Sequence, residues 1–191
     1  MKTKINSKWR FYPGGESPFF GVNSEGIEVN LPHDFSISQD REGDSPAGAS
    51  NAYFPGGNGC YKKTLFIPED WRGKRLTLEF EGVYMNAAVH VNRNLAVRHP
   101  YGYTGFYTDV TDYIEFDKEN IISVEVSNSA VPNTRWYNGS GIYRNVWLHV
   151  QDEVHIEPWG VYVTTPLVSD KQADVRVLTT VVNKGAYDRN I

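Results

Sequence analysis

The side chains that could do chemistry are plentiful in this sequence, but few stand at spacings that chemistry requires. Asp109, Asp112, Glu115, Asp117 and Glu119 crowd around one turn. Several oxygen ligands in one place suit a hard cation such as Ca²⁺. No calcium-loop spacing is met, however, and a solvated acidic loop is the plainer reading. His33, His90, His99, His149 and His155 are scattered, with neither metal-ligand nor triad spacing. Cys60 is the single cysteine, so no intrachain disulfide can form. It opens an apolar run and suits packing better than nucleophilic attack. What remains is a loop over residues 131–140, broken by Pro132 and Gly139, where Arg135 stands beside the aromatics Trp136 and Tyr137. Long loops on a rigid scaffold are where binding groups sit, and plain surface connection is the competing reading.

The elements that must hold such a loop read as strands. Apolar residues take alternate places in Leu76, Leu78 and Phe80, in Ala87, Val89 and Val91, and in Ile122, Val124 and Val126. Ile142, Val146, Leu148 and Val150 share a face, with Tyr143, Asn145, Trp147 and His149 opposite. Period two marks strands with one face on a core. By the same rule Glu79, Glu81 and Glu125 fall on outward faces. No window shows a sustained helical period, and Pro68 to Gly73 allows one helical turn at most. Asn92-Arg93-Asn94 reads as a hairpin turn. Residues 31–58 are too rich in Gly, Pro and polar side chains for strands. The pattern therefore predicts an all-β protein: eight to ten strands before residue 152, packed as two antiparallel sheets.

After Val150 the polar break Gln151-Asp152-Glu153 intervenes, and two or three further strands follow around Val154, Ile156, Val161, Val163, Val175 and Val177. They are too few to bury a core. Residues 1–152 are accordingly one domain, and 153–191 the start of an incomplete second one. The apolar face of Val161, Val163, Val175 and Val177 is expected to pack on the first domain or on another copy of the chain.

Bulk properties remove some function classes. The formal net charge is −4 without a basic run, which argues against nucleic acid as partner. No apolar stretch approaches membrane-spanning length. Met1 to Asn6 has basic residues but no apolar h-region behind them, so cytoplasm and periplasm both stay open. Aromatics are 14% of residues. Such richness suits ring-shaped ligands, but a strand-rich core produces it equally.

Five segments, in order, resemble the N-terminal domain of family 2 glycoside hydrolases. They are Trp9-Arg10-Phe11 with Leu31-Pro32-His33-Asp34-Phe35; the run from Gly59-Cys60-Tyr61 to Pro68; Phe80-Glu81-Gly82-Val83 leading to Val89-His90-Val91-Asn92; Tyr101-Gly102-Tyr103-Thr104-Gly105-Phe106; and Arg135-Trp136-Tyr137 with Gly139-Ser140-Gly141-Ile142-Tyr143-Arg144-Asn145. In the third segment the family often has a Gly where Arg93 stands, which implies a wider turn here. The resemblance covers residues 9–165. It implies a galactose-binding-like jelly roll, then an immunoglobulin-like sandwich, then a (β/α)₈ barrel that carries the two catalytic Glu residues and is absent from this chain.

Under that resemblance no catalytic residue and no cofactor falls within the chain, although a parent enzyme would use Na⁺ or Mg²⁺. The parent is implied to be an exo-acting β-glycosidase, with β-galactosidase favoured over β-glucuronidase or β-mannosidase and a possible homo-oligomer. The chain's share is to pack on the barrel and edge the sugar pocket, with Arg135, Trp136 and Asn145 as the implied contacts. Trp136 would stack on a sugar or pack on the neighbouring domain. Arg144 would brace the loop against a carboxylate such as Asp34. In β-galactosidases of the family an Asp helps to hold the galactosyl 6-hydroxyl through Na⁺. Asn145 stands at that position, an acceptor without charge. A free-standing carbohydrate-binding module is the alternative, by fold analogy.

Overall fold

The computed structural model describes residues 1–14, 26–130 and 134–190. Pro132, Ile191 and the segment 15–25 therefore lie outside the described residues. Ten strands form a sandwich of two antiparallel sheets: a four-stranded sheet in the order β1-β10-β5-β8, and a six-stranded sheet in the order β3-β2-β4-β9-β6-β7. The strands are β1 (Lys2–Lys4), β2 (Trp9–Pro13), β3 (Ile27–Val29), β4 (Gly57–Ile67), β5 (Arg75–Phe80), β6 (Ala87–Val91), β7 (Asn94–His99), β8 (Phe106–Asp109), β9 (Lys118–Asn128) and β10 (Val146–Gln151). Two more strands, β11 (Val154–Val168) and β12 (Ala173–Asn183), pair with each other. Pro68 caps a single 3₁₀ turn, Glu69–Trp71.

The core lies between the two sheets. Leu76, Leu78 and Phe80 of β5 and Leu148 and Val150 of β10 meet Tyr61, Val89, Val91, Val124 and Val126 from the other sheet. All but Tyr61 follow the alternation read from the sequence, because burial of one strand face selects the register. Cys60 is fully buried beside Ser123, and burial pushes its thiol up to about 11, as befits a packed side chain.

Three expectations change. The β6–β7 hairpin is tight rather than wide: Val91 pairs with Asn94, leaving a two-residue turn with φ of 47° at Asn92 and 73° at Arg93. Asn92 stabilises it by accepting from Ile121 N–H and donating to Asn120 and the Tyr113 carbonyl. That support replaces the Gly a two-residue turn prefers. Glu79 does not face solvent but is 6% exposed. Lys2, His149 at 2.6 Å and the Trp159 indole converge on its carboxylate. The face opposite the core is therefore covered at this point.

The third change concerns the tail. Val161, Val163, Val175 and Val177 are 51–63% exposed, so they do not pack on the sandwich. Tyr162 and Leu178, on the other face of the hairpin, are exposed as well. β11 is one long strand, irregular between Ile156 and Val161 and between Thr164 and Leu167. Pro166 falls inside the second irregularity, where a missing N–H breaks no ladder bond. The first irregularity holds Trp159 at φ 60°. Its ring meets Tyr107 edge-on at 5.1 Å, and its N–H reaches Glu79 at 3.3 Å.

Burial pushes the Glu79 carboxyl up, but hydrogen bonds from Lys2 and His149 and the Lys2 charge outweigh it and hold the group below its ordinary value. A carboxylate depressed in the folded state adds stability above its unfolded pKa and loses it as pH falls through the folded one. Glu79→Gln should therefore cost about 1.5–3 kcal/mol at pH 7, the range for hydrogen bonds to a charged group. In urea titrations the gap to the unaltered chain should narrow as pH drops below the ordinary carboxylate range. A gap that stays constant down to pH 3 would show that the ionised form contributes nothing.

Candidate functional site

Loops at one end of the sandwich are built around the Asp34 carboxylate. Oδ1 accepts from the Ser36 N–H at 2.9 Å and the Ser140 N–H at 2.8 Å, and Oδ2 accepts from the Tyr137 hydroxyl at 2.6 Å. A Cβ on Gly139 would lie 2.6 Å from Oδ2, so only glycine lets the chain pass this close. Around the carboxylate the two segments run side by side. His33 N–H donates to the Ile142 carbonyl and Phe35 N–H to the Ser140 carbonyl, each at 2.8 Å. The buried Ser36 and Ser140 hydroxyls bond at 2.6 Å, and Asn128 donates to Ser140 at 2.8 Å. Gly141, at φ 131°, exchanges two 2.9 Å backbone bonds with Tyr84. The Gly-Ser-Gly run of the sequence is thus a locking segment.

His33 and Tyr61 seal the floor. His33 Nδ1 lies 2.8 Å from the Tyr61 hydroxyl. Burial lowers the His33 pKa against the pull of Asp34, and burial raises that of Tyr61. Both are therefore held neutral, and the Phe11 ring packs on both at 5.0 Å. Burial, and then the hydrogen bond to Asp34, also raise the Tyr137 pKa, which keeps this hydroxyl a donor.

The exposed side chains hang from this lock. Asn138 N–H donates to Asn51 at 3.1 Å and its amide donates to Thr134 at 2.6 Å, while its Oδ1 accepts from the Tyr103 hydroxyl at 2.8 Å. Tyr103 in turn accepts from the Trp136 indole N–H at 3.0 Å. Trp136 is 61% exposed, so its ring is both oriented and open to solvent. Tyr101 and Tyr103 extend this aromatic surface, their rings 5.7 Å apart. Next to it Arg135 borders an open depression of about 540 Å³ with Ser45, Ala47, Ser50 and Thr134. The rim offers neutral donors and acceptors, one guanidinium and a flat apolar face. That combination suits a polar, uncharged ligand with an apolar side.

Asn145, the third expected contact, sits in another network. Its Oδ1 accepts from Asn6 at 2.8 Å and its Nδ2 donates to Glu81 at 2.8 Å. Glu81 also takes the Trp147 indole and lies 3.7 Å from Arg144. Arg144 therefore braces against Glu81, not Asp34, whose oxygens are filled by Ser36, Ser140 and Tyr137. Both ends of the Asn145 amide thus have protein partners. Among the described residues no group of three or more His, Cys, Asp or Glu could hold a metal ion. In the acidic turn Asp109 accepts from Thr111 and Glu115 pairs with Lys118. Sequence reasoning missed Asp34, Asn138 and Tyr103 as organisers of the rim, although their segments stood out.

A model of the glycosyl hydrolases family 2 sugar-binding domain matches residues 45–152. The chain belongs to this family. A β-galactosidase of Bacteroides ovatus is 41% identical over the whole chain, and a β-glucuronidase of Bacteroides fragilis is 31% identical over 95% of it. The chain spans only 23% and 26% of those two proteins. Among solved structures, a glycosyl hydrolase family 2 member from Bacteroides cellulosilyticus superposes with a TM-score of 0.89 at 36% identity, over 95% of this chain and 24% of that one. A β-glycosidase from Bacteroides vulgatus reaches 0.89 at 30% identity, over 98% of this chain and 25% of that one. The chain corresponds to the non-catalytic N-terminal sugar-binding domain of such enzymes.

Removing the Asp34 carboxylate leaves three donors without their acceptor. Asp34→Ala in this family 2 domain should cost about 2–4 kcal/mol in urea unfolding, and Tyr137→Phe about 1 kcal/mol. Trp136 fluorescence should shift toward that of a mobile indole in the first variant and stay put in a conservative control such as Lys171→Gln.

Proposed function

We propose that this chain forms one edge of the sugar pocket of an exo-acting, retaining β-glycosidase whose substrate is a β-galactoside. The observation that carries the reading is the Trp136 ring, held by Tyr103 yet exposed, beside the Arg135 depression. An indole face stacks on the apolar face of a pyranose, and a guanidinium donates to its hydroxyls. The 41% identity to a β-galactosidase across the whole chain supports the choice of sugar. Retaining hydrolysis needs two carboxyl groups about 5–5.5 Å apart, and these belong to a barrel beyond this domain. Asn145 is a positioning residue here, tying Glu81 to Asn6. The bare faces of the β11–β12 hairpin are assigned to contact with the rest of such an enzyme.

In a full-length enzyme containing this domain, Trp136→Ala should lower kcat/KM on nitrophenyl β-galactoside about tenfold, equivalent to about 1.4 kcal/mol of transition-state binding. Arg135→Ala should do at least as much. Asn145→Ala should lower thermal stability and change kcat/KM less than either. The 191-residue chain alone should show no turnover, and turnover at a rate near that of a full enzyme would overturn the proposal. A second reading, a self-sufficient carbohydrate-binding module, draws on the same exposed Trp136. Millimolar or tighter binding of galactosides by the isolated chain, lost in Trp136→Ala, would favour it.

A further inference from the structure

β2 and β4 pair from Pro13 opposite Gly59 back to Arg10 opposite Lys62 and then part. They part because the chain turns at Lys8, at φ 55°, where the Lys8 N–H leaves the ladder for Asn30 Oδ1 at 3.0 Å. The gap is a notch of about 510 Å³ lined by Lys8, Arg10, Tyr12, Lys62, Lys63 and Thr64. Four of these six side chains are cationic, on a chain whose formal net charge is −4. The notch shares no residue with the rim described above.

Among the described residues the charges are not balanced. Arg10 and Lys62 are direct cross-strand partners, a like-charge pairing that costs sheet stability. On its other side Lys62 faces Ser123. Lys63 is turned inward onto the Ser7 carbonyl at 2.6 Å. Burial, and then the charge of Lys8, push its amine below the ordinary value, with Glu28 pulling the other way. Glu28 reaches Arg10 only at 4.0 Å, and Glu125 stands diagonal to Lys62, opposite Cys60. Four positive groups thus line an open cavity whose described lining includes no carboxylate. A guanidinium fork flanked by point-charge ammonium groups matches an oxyanion. The cations form one compact cluster rather than the extended track that a phosphate backbone needs.

We propose that this notch binds an oxyanion carried on a saccharide, either a sulfate ester or a uronate carboxylate. The saccharide half rests on the glycosidase reading, whereas the oxyanion half rests on the notch alone. The test is calorimetry on the 191-residue chain at low ionic strength. The ligands are a sulfated oligosaccharide, a uronate oligosaccharide, a neutral counterpart, inorganic sulfate and a short DNA duplex. One or both acidic oligosaccharides should bind at least tenfold more tightly than the neutral one, and added salt should weaken that binding. The double variant Arg10→Gln, Lys62→Gln should lose at least tenfold in affinity while melting no lower than the unaltered chain, since a like-charge pair is removed. Lys8→Gln should lose less, and Lys171→Gln nothing. Equal binding of acidic and neutral ligands, or an unaffected double variant, would overturn the proposal. Inorganic sulfate or DNA binding as tightly as the oligosaccharides would overturn its saccharide half. Failure of the pocket-edge reading is seen separately, as unchanged kcat/KM on a neutral galactoside in the Trp136 and Arg135 variants.

Discussion

The rim depends on one carboxyl group and the three donors that converge on it. Asp34 gathers donors from its own segment and from residues 137 and 140, more than a hundred positions further along. Charge-assisted hydrogen bonds are roughly twice as strong as neutral ones, and here three of them close on one carboxylate. Among the described residues neither loop segment has an α-helix or a long ladder to hold it. Asp34 supplies what regular structure does not, and Gly139 supplies the space. Asn138, Trp136 and Arg135 lie within five residues of Ser140, so the exposed side chains inherit their positions from that closure. A binding surface built this way has little ordering entropy left to lose when a ligand arrives.

A second carboxylate, this one buried, does comparable work on the outer face of the four-stranded sheet. Glu79 joins β1 through Lys2, β10 through His149 and the irregular stretch of β11 through Trp159. The hairpin beyond has both faces exposed, and among the described residues its contacts with the sandwich include those of Trp159, the Arg75 bond to the Lys184 carbonyl and the Gln151 bond to the Ile156 carbonyl. A two-stranded ribbon is marginal alone. Its direction of departure from the sandwich is therefore set by where Trp159 is seated, and the positive φ at Trp159 aims that ring back toward Glu79.

Much of the sandwich was legible because strand patterning is local. Leu76, Leu78 and Phe80, or Val89 and Val91, reveal their face by alternation within a few residues. What covers the other face is not local, so Glu79 read as a solvent residue although side chains from distant strands close over it. The tight turn at Asn92-Arg93 was hidden for a similar reason: its support comes from Asn120, Ile121 and Tyr113, remote in sequence. The rim was legible in composition but not in wiring. Arg135 and Trp136 stood out by type, yet Asp34 gave no sign that its partners were Tyr137 and Ser140. Asn145 was read as a ligand contact from its position in a motif, and its engagement with Asn6 and Glu81 depends on tertiary pairing that no motif displays.

The wiring also bears on catalysis. A general acid in glycoside hydrolysis needs a carboxyl group whose pKa is raised and whose proton can reach the leaving oxygen. The carboxylates that this fold holds firmly are arranged the other way. Asp34 is saturated by three donors. At Glu79 and at Glu81 burial pushes the pKa up, but hydrogen bonds, led by Lys2 in one and Trp147 in the other, bring the net shift downward. Glu79 and Glu81 are stabilised as anions, and an anion locked by internal donors neither gives up a proton at neutral pH nor attacks an anomeric carbon. The same bonds that make this domain a rigid support for Trp136 and Arg135 thus remove its best-placed carboxylates from chemistry. Under the proposed function, a pocket edge of this construction contacts the sugar and leaves bond cleavage to carboxyl groups supplied from outside it.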